Sequence, residues 1–293
     1  MSDNSSKWIF GCGIGCGAVF LIVVAIFASV YFLVKDTVEE VKMISETSEL
    51  LESRFGNIYN YIPKPDGTID KKRIITFLEI RDSLNLMSAE LKSEIEKMTD
   101  KIAEVENNDE GDSSFWNVLG IIKGGFGVIP EIIKYYSNRN MILFQKEMGL
   151  GEYNYLYAIS YYSFLKKYPG DGPDIQLMEG GGEFKINSDK SGEFDGREVK
   201  LRRNDKIRRY VNKMTRKMYE NTLKDLSIDE FWKTAFETEI IELENNLLRL
   251  PWEDGLPENM KNSLNSFEKE LNDSYNILLN SVELIEIDEV VKK

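Results

Sequence analysis

The sequence predicts an all-α protein with a single N-terminal transmembrane helix, a helical stalk and a multi-helix, bundle-like domain. Residues 8–34 contain no charged side chain, and most of the later chain places apolar residues at alternating three- and four-residue steps, the spacing of amphipathic helices. About 20 consecutive apolar residues span a bilayer, so this run is long enough even for a tilted helix.

The uncharged run is predicted to be an uncleaved signal anchor. A cleaved signal peptide would have an apolar core of about 7–15 residues followed by a small-residue cleavage site, and this run is much longer. We therefore divide the chain into a short polar tail (1–7), a transmembrane helix (8–34), a helical stalk and connector (35–69) and a soluble all-α domain (70–293).

Small residues at helical spacing predict that the membrane helix associates with a second copy of itself. Glycines four residues apart let two helix backbones approach closely in lipid. The residues concerned are Gly11, Gly13, Gly15, Gly17, Ala18 and Ala25. The alternative is that glycine is simply common in membrane helices. Residues 13–18 also match a dinucleotide-binding fingerprint, which needs a preceding strand and a following amphipathic helix, and neither is predicted here.

The side of the membrane on which the domain lies is not decided by charge. Lys7 precedes the uncharged run and Lys35 and Lys42 follow it, so the positive-inside rule does not decide the orientation. Short tails before a long apolar segment usually stay inside, so we predict an extracytoplasmic domain.

Composition restricts the chemistry. The formal net charge of -13 argues against nucleic acid as a partner, because a polyanion binds a basic surface. The chain has no histidine, which removes Ser-His-Asp and Cys-His nucleophile systems and the usual zinc ligands. Its two cysteines, Cys12 and Cys16, both lie in the anchor. The sequence therefore predicts no catalytic residue, metal site or cofactor, and favours a protein that is not an enzyme.

Two long helices are predicted after the anchor. The first runs from Asp36 to about Phe55, with Gly56 placed to end it. The second covers 70–106 and shows three heptads. Its seam residues are Leu84, Leu91, Met98 and Val105. Such a seam is typical of a homomeric coiled coil or of a long helix packed within its own domain, and we favour the second interpretation.

A tyrosine-rich stretch follows at 130–168, predicted as one or two helices separated near residues 149–151. Aromatic residues at helical spacing usually form core. The alternative is a stacking or sugar-binding face, which requires exposed rings.

Residues 169–199 are rich in glycine and predict a loop insertion or a small hairpin between 184–186 and 199–201. Basic residues then dominate 200–217, where Asn204 is predicted to cap a helix. The candidate contacts for an anionic ligand are Arg202, Arg203, Arg208 and Arg209. Lipid headgroups, a nucleic acid or an acidic partner would all bind such a surface, and the alternative, which we favour, is that it neutralises the acidic helices of its own domain.

The C-terminal region predicts two further helices. Residues 227–230 form a capping box, and 250–257 read as a tight connector in which Pro257 begins the last helix, running to about Leu284. Trp252 is predicted to pack across this corner.

Two segments carry a family resemblance. They are MGLGEY at 148–153 with Tyr155, and LPWEDGLP at 250–257 with NSL at 262–264. The chain resembles uncharacterised, N-terminally anchored bacterial membrane proteins, and this implies a helical domain in a bacterial membrane but no activity or ligand.

Three functional hypotheses follow. The first is a membrane-tethered helical scaffold or interaction module that presents a surface to a protein partner. The second is a binding module for an anionic ligand at the basic helix. The third is a histidine-free hydrolase that uses paired carboxylates, with Glu152 and its neighbouring tyrosines as the first place to look.

Overall fold

The computed structural model describes residues 44–94, 97, 131–172 and 196–284, and the regular elements among them are helical. The prediction of an all-α fold is confirmed for this part of the chain. The helices are α1 (44–55), α2 (Lys71–Met87), α3 (89–94), α4 (131–145), α5 (Leu150–Tyr157), α6 (Gly196–Thr222), α7 (Glu230–Asn245), α8 (Glu258–Asn265), α9 (Glu268–Ser274) and α10 (Ile277–Glu283). A 3₁₀ turn at Ile58–Asn60 follows α1, and a π-helix at Ala158–Phe164 extends α5.

Within these ranges no helix is both long enough and apolar enough to span a bilayer. The predicted span at 8–34, with its stripe of small residues, lies outside the described residues. Met98 and Val105 of the heptad series and residues 173–195 of the glycine-rich segment lie outside them as well. A compact unit begins at Ile44.

The second half of the predicted stalk contributes to the domain. Ile44 and Leu51 of α1 are buried in the common core. Gly56, at φ +76°, ends α1 as predicted, because glycine adopts this left-handed conformation without steric cost. The 3₁₀ turn then lies directly against α5, where a Cβ on Gly151 would come within 2.4 Å of the Ile58 carbonyl oxygen.

The predicted helix over 70–106 is interrupted. Its first part, α2, ends at Met87, where the Ser88 hydroxyl donates a 2.7 Å hydrogen bond to the Asn85 carbonyl and competes with the helical pattern. Leu84 and Leu91 are nonetheless both buried in the chain's own core. These two seam residues therefore pack within the chain, as the favoured interpretation required.

The tyrosine-rich stretch forms the centre of the core, and the prediction of two helices separated near 149–151 is confirmed by α4 and α5. The π-helix widens the turn, as the hydrogen bond from Leu165 N to Ser160 O (3.0 Å) shows. This change of period keeps Tyr157, Tyr161 and Tyr162 all buried. Their burial excludes the exposed stacking face for these rings.

Three boundaries near the basic helix and its neighbour are corrected. Gly196 already belongs to α6, so residues 199–201 are helical and not the arm of a hairpin, and Asn204 is an interior residue and not a cap. The cap of α7 is Asp229, whose side chain accepts a 2.8 Å hydrogen bond from Trp232 N. Ser227 instead donates to Asp225, at 2.7 Å.

The predicted last helix is three short helices, α8 to α10. Pro257 is the N-terminal cap of α8 and not its first residue. Asn276 begins α10 by accepting hydrogen bonds from Leu278 N and Leu279 N. Because this capping requires an extended backbone at Asn276, a continuous helix is interrupted there. Trp252 is buried and packs on Tyr219 of α6.

Candidate ligand-binding cavity

A cavity of about 220 Å³ lies where α1, α4, α5 and α6 meet. Leu51, Ile58 and Leu150 supply part of an apolar wall, and Glu52 and Asn57, which are exposed, lie at its edge toward solvent. The polar residues that line it are Ser48, Arg139, Asn140, Asn154, Tyr210 and Glu283. Apolar walls with a few polar groups are typical of small-molecule sites.

Arg139 is the most unusual residue of this lining. It is only 6% exposed, and its Nη1 donates a 3.0 Å hydrogen bond to the backbone oxygen of Glu283. The Tyr136 ring lies 4.8 Å from the guanidinium carbon. Nε has no hydrogen-bond partner, and among the described residues no carboxylate lies within ion-pairing distance. A buried arginine keeps its charge, so this charge is left without a protein counter-ion.

Two buried asparagines stand beside it. Asn140 uses its amide nitrogen to donate to Ser48 of α1, at 3.0 Å. Asn154 uses its amide nitrogen to donate to Tyr210 of α6, at 2.8 Å. In both residues the amide oxygen is buried and has no partner among the described residues. Buried polar atoms are nearly always hydrogen-bonded, so these two acceptors lack the donors that such atoms normally have.

Glu283 joins the cavity to an ion-pair network that is fully buried. Its carboxylate lies 3.3 Å from Arg81 Nη1, and both side chains have no exposed surface. The hydroxyls of Tyr135 and Tyr153 both donate to this carboxylate, and Arg81 also donates to Tyr153, at 2.8 Å. The Glu283 carboxylate is therefore neutralised by Arg81 and is not a counter-ion for Arg139.

Burial controls the acidity of the tyrosines around this network. It raises the pKa of Tyr135 and Tyr153 well above the ordinary value, and the neighbouring Glu283 carboxylate raises both further. Both hydroxyls therefore remain protonated at neutral pH and serve as donors to the carboxylate.

The four arginines predicted as anion contacts differ in their surroundings. Arg203 is buried and donates to the Gly170 carbonyl at 3.2 Å. Arg208 donates to the Leu248 carbonyl and to Glu253, both at 2.8 Å. Arg202 and Arg209 are exposed. Two of the four thus hold α6 to its own domain through hydrogen bonds.

The residues named for a hydrolase are also occupied by internal contacts. Both carboxylate oxygens of Glu152 accept 2.5 Å hydrogen bonds from Arg73. Tyr153 and Tyr155 are buried. In the part of the chain that the structure describes, no cluster of three or more acidic or cysteine side chains has the geometry to hold a metal ion.

Sequence reasoning missed the cavity, although α4 carries a signal for it. Ile132, Tyr136 and Leu143 form its buried stripe. Arg139 and Asn140 fall on the same face, where a core residue is expected. A charged residue inside an apolar stripe is rarely buried unless it is paired or used.

No protein-family model, curated protein or solved structure matches the chain. We therefore infer function from the residues of the cavity.

Proposed function

We propose that the protein is a membrane-tethered helical binding module, without catalytic activity, that holds a small polar molecule in the cavity between α1, α4, α5 and α6. The observation that supports this most directly is the buried Arg139, which lines the cavity without a counter-ion in the described residues. Leaving a buried charge unpaired costs several kcal/mol (~3–5), and a bound ligand would offset that cost.

We favour binding over catalysis because both oxygens of the Glu283 carboxylate are already occupied. Glu283 is enclosed, and its two oxygens already accept from tyrosine hydroxyls. A general acid or base must reach a substrate proton within hydrogen-bond distance. Neither oxygen of Glu283 is placed to do so.

The binding function is tested by thermal unfolding of the full-length chain, purified in detergent, against a set of hydroxy acids, amino acids, sugars and nucleosides. A ligand that binds only the folded state raises Tm. Leu150→Trp would fill part of the cavity, and Leu201→Trp makes the same change at an exposed position of α6. We expect at least one compound to stabilise the wild type and Leu201→Trp but not Leu150→Trp. If no compound stabilises the wild type, or if Leu150→Trp responds equally, the cavity is not the binding site.

The tether is the predicted membrane helix at 8–34, and we propose that the domain lies on the extracytoplasmic side. Thr234 is an exposed residue of α7 and provides a labelling position. In a Thr234→Cys variant with Cys12 and Cys16 changed to Ala, a membrane-impermeant maleimide should label intact cells. Labelling only after lysis would place the domain in the cytoplasm.

The tether also supports a scaffold role. Two copies associated through the stripe of small residues that includes Gly11 and Gly15 would bring two copies of the domain to the same place on the membrane. Changing Gly15 to Leu should then weaken crosslinking between copies, whereas Ile14→Leu, one residue away, should leave it unchanged.

A further inference from the structure

We propose that the ligand of this cavity is a small organic carboxylate that also carries a hydroxyl or ammonium group. This inference rests on the proposed binding function and adds the chemical class of the ligand. It depends on three features of the lining: the unpaired charge of Arg139, the fixed orientation of its guanidinium, and the two amide oxygens without donors.

The charge of Arg139 calls for an anion. Arginine has five N–H donors, and among the described residues the only acceptor it reaches is the Glu283 backbone oxygen. Because Glu283 is already paired with Arg81 and Glu52 lies at the exposed edge, Arg139 contributes one unpaired positive charge at the inner end of the cavity. One unpaired charge matches a single carboxylate group better than a doubly charged phosphate.

The orientation of Arg139 suits a planar group. One nitrogen is held by a backbone oxygen, and the guanidinium lies over the Tyr136 ring. A guanidinium that is fixed in this way presents its remaining edge as a fork, and a carboxylate accepts such a fork through two parallel hydrogen bonds. Because the Arg139 side chain is already ordered in the free protein, ligand binding does not have to order it.

The two amide oxygens call for donors on the same ligand. Asn140 and Asn154 both direct their amide nitrogens to protein hydroxyls, and each is left with an unpaired oxygen. A hydroxyl or ammonium group near the carboxylate would donate to one of them after a small rotation of the amide. The apolar residues Leu51, Ile58 and Leu150 then contact the carbon skeleton.

The size of the cavity limits the ligand to a small one. A volume of 220 Å³ is smaller than that of typical ligand pockets, which is roughly 300–1,000 Å³. A hydroxy acid or amino acid of three to five carbons is of this size, whereas a nucleotide or a disaccharide is larger.

The test compares L-lactate and L-alanine with the neutral L-lactamide and with inorganic phosphate, at matched ionic strength, by thermal unfolding of the full-length chain. At ten times Kd, a carboxylate that binds should raise Tm by about 3–6 °C. We expect lactamide and phosphate to have no effect. Arg139→Gln should weaken carboxylate binding by at least about tenfold, while Arg209→Gln, which removes an exposed charge from α6, should leave it unchanged.

The outcomes separate this inference from the proposed function. If lactamide stabilises the protein as well as lactate does, or if Arg139→Gln binds lactate normally, the ligand is not an anion and the inference is overturned, although the cavity is still a binding site. If neither carboxylate raises Tm, the proposed ligand class is overturned. Whether the cavity binds any ligand is then decided by comparing the wild type with Leu150→Trp across the wider compound set. If Arg139→Gln does not fold, Arg139→Lys carries the test, because it keeps the charge but loses the fork. The affinity of Arg139→Lys for lactate must then fall, while that of Arg209→Lys must not.

Discussion

Replacing Glu283 by glutamine tests whether the buried ion-pair network stabilises the domain. The substitution keeps the shape of the side chain but removes its charge, and Arg81 is left as an unpaired cation with no exposed surface. Breaking a buried pair in this way typically costs about 3–5 kcal/mol. Glutamine also has only one acceptor oxygen, so either Tyr135 or Tyr153 loses its acceptor.

We therefore expect Glu283→Gln to lower the free energy of unfolding by about 4 kcal/mol, because these effects overlap and do not add fully. For a domain of this size the corresponding fall in Tm is roughly 8–16 °C. Urea unfolding monitored by far-ultraviolet circular dichroism measures the change. The midpoint should fall while the slope of the transition stays the same.

The control is a surface pair with better geometry. Glu147 lies 2.7 Å from Arg54, closer than Glu283 lies to Arg81, but the two side chains are 72% and 41% exposed. An exposed pair contributes only about 0–1 kcal/mol, so Glu147→Gln should change stability little. Equal effects of the two substitutions, or a loss below about 1 kcal/mol for Glu283→Gln, would refute the reasoning.

A double-mutant cycle separates the pair from its surroundings. Arg81→Met alone leaves a buried carboxylate, whereas Arg81→Met combined with Glu283→Gln leaves neither charge. The double variant should therefore be at least about 2 kcal/mol more stable than the sum of the single losses predicts. Additive losses would show that the two side chains contribute independently.

Three further substitutions test the packing and electrostatics away from the cavity. Gly67→Ala should destabilise the protein by about 2 kcal/mol more than Gly255→Ala, because a Cβ at Gly67 would lie 2.0 Å from the Trp232 ring whereas Gly255 has open space. Both glycines have a positive φ, and urea unfolding measures the difference in stability between the two variants. Trp252→Ala should cost about 3–5 kcal/mol in the same assay, since the ring is buried against Tyr219, and an unchanged transition would contradict this packing. Burial raises the pKa of Glu239 despite a hydrogen bond from Trp252 N, so the folded state holds this proton more tightly than the unfolded state. That contribution to stability is complete below the ordinary pKa of glutamate and is lost as pH rises through the raised value. Glu239→Gln should therefore be less destabilised relative to the wild type at about pH 7.5 than at about pH 4, and an opposite trend would show that the pKa is lowered.

The sequence was sufficient for the helices whose signals are local. The end of α1 at Gly56 and the separation of α4 from α5 both depend on residues that act on their own backbone. The burial of Tyr153, Tyr155, Tyr157, Tyr161 and Tyr162 also followed from their spacing, whereas Tyr168 is exposed. These predictions are confirmed because the period of apolar residues and the turn residues indicate the same elements.

Predictions failed where two local signals compete or where tertiary contacts decide. Ser88 and Asn276 stand in patterns that continue through them, and each ends or starts a helix through a side-chain hydrogen bond. Arg208 illustrates the second case. Nothing near it in sequence indicates that it contacts Glu253 and the Leu248 carbonyl, because those partners are brought close only by the fold of α7 and the following connector.

The two arginines buried near Glu283 argue that the cavity is more than a packing defect. Arg81 is enclosed together with a carboxylate and with tyrosine hydroxyls. Arg139 is nearly as buried, and among the residues that the structure describes it reaches only the backbone oxygen of Glu283. The fold therefore gives one buried guanidinium a carboxylate counter-ion and leaves the other without one among the described residues. A methionine or leucine at 139 would extend the apolar stripe of Ile132, Tyr136 and Leu143 and would avoid the cost of an unpaired charge. Retaining arginine there makes physical sense if an anion from outside the chain completes the pair, because departures from the packing rules that have no compensation within the protein are expected at functional sites.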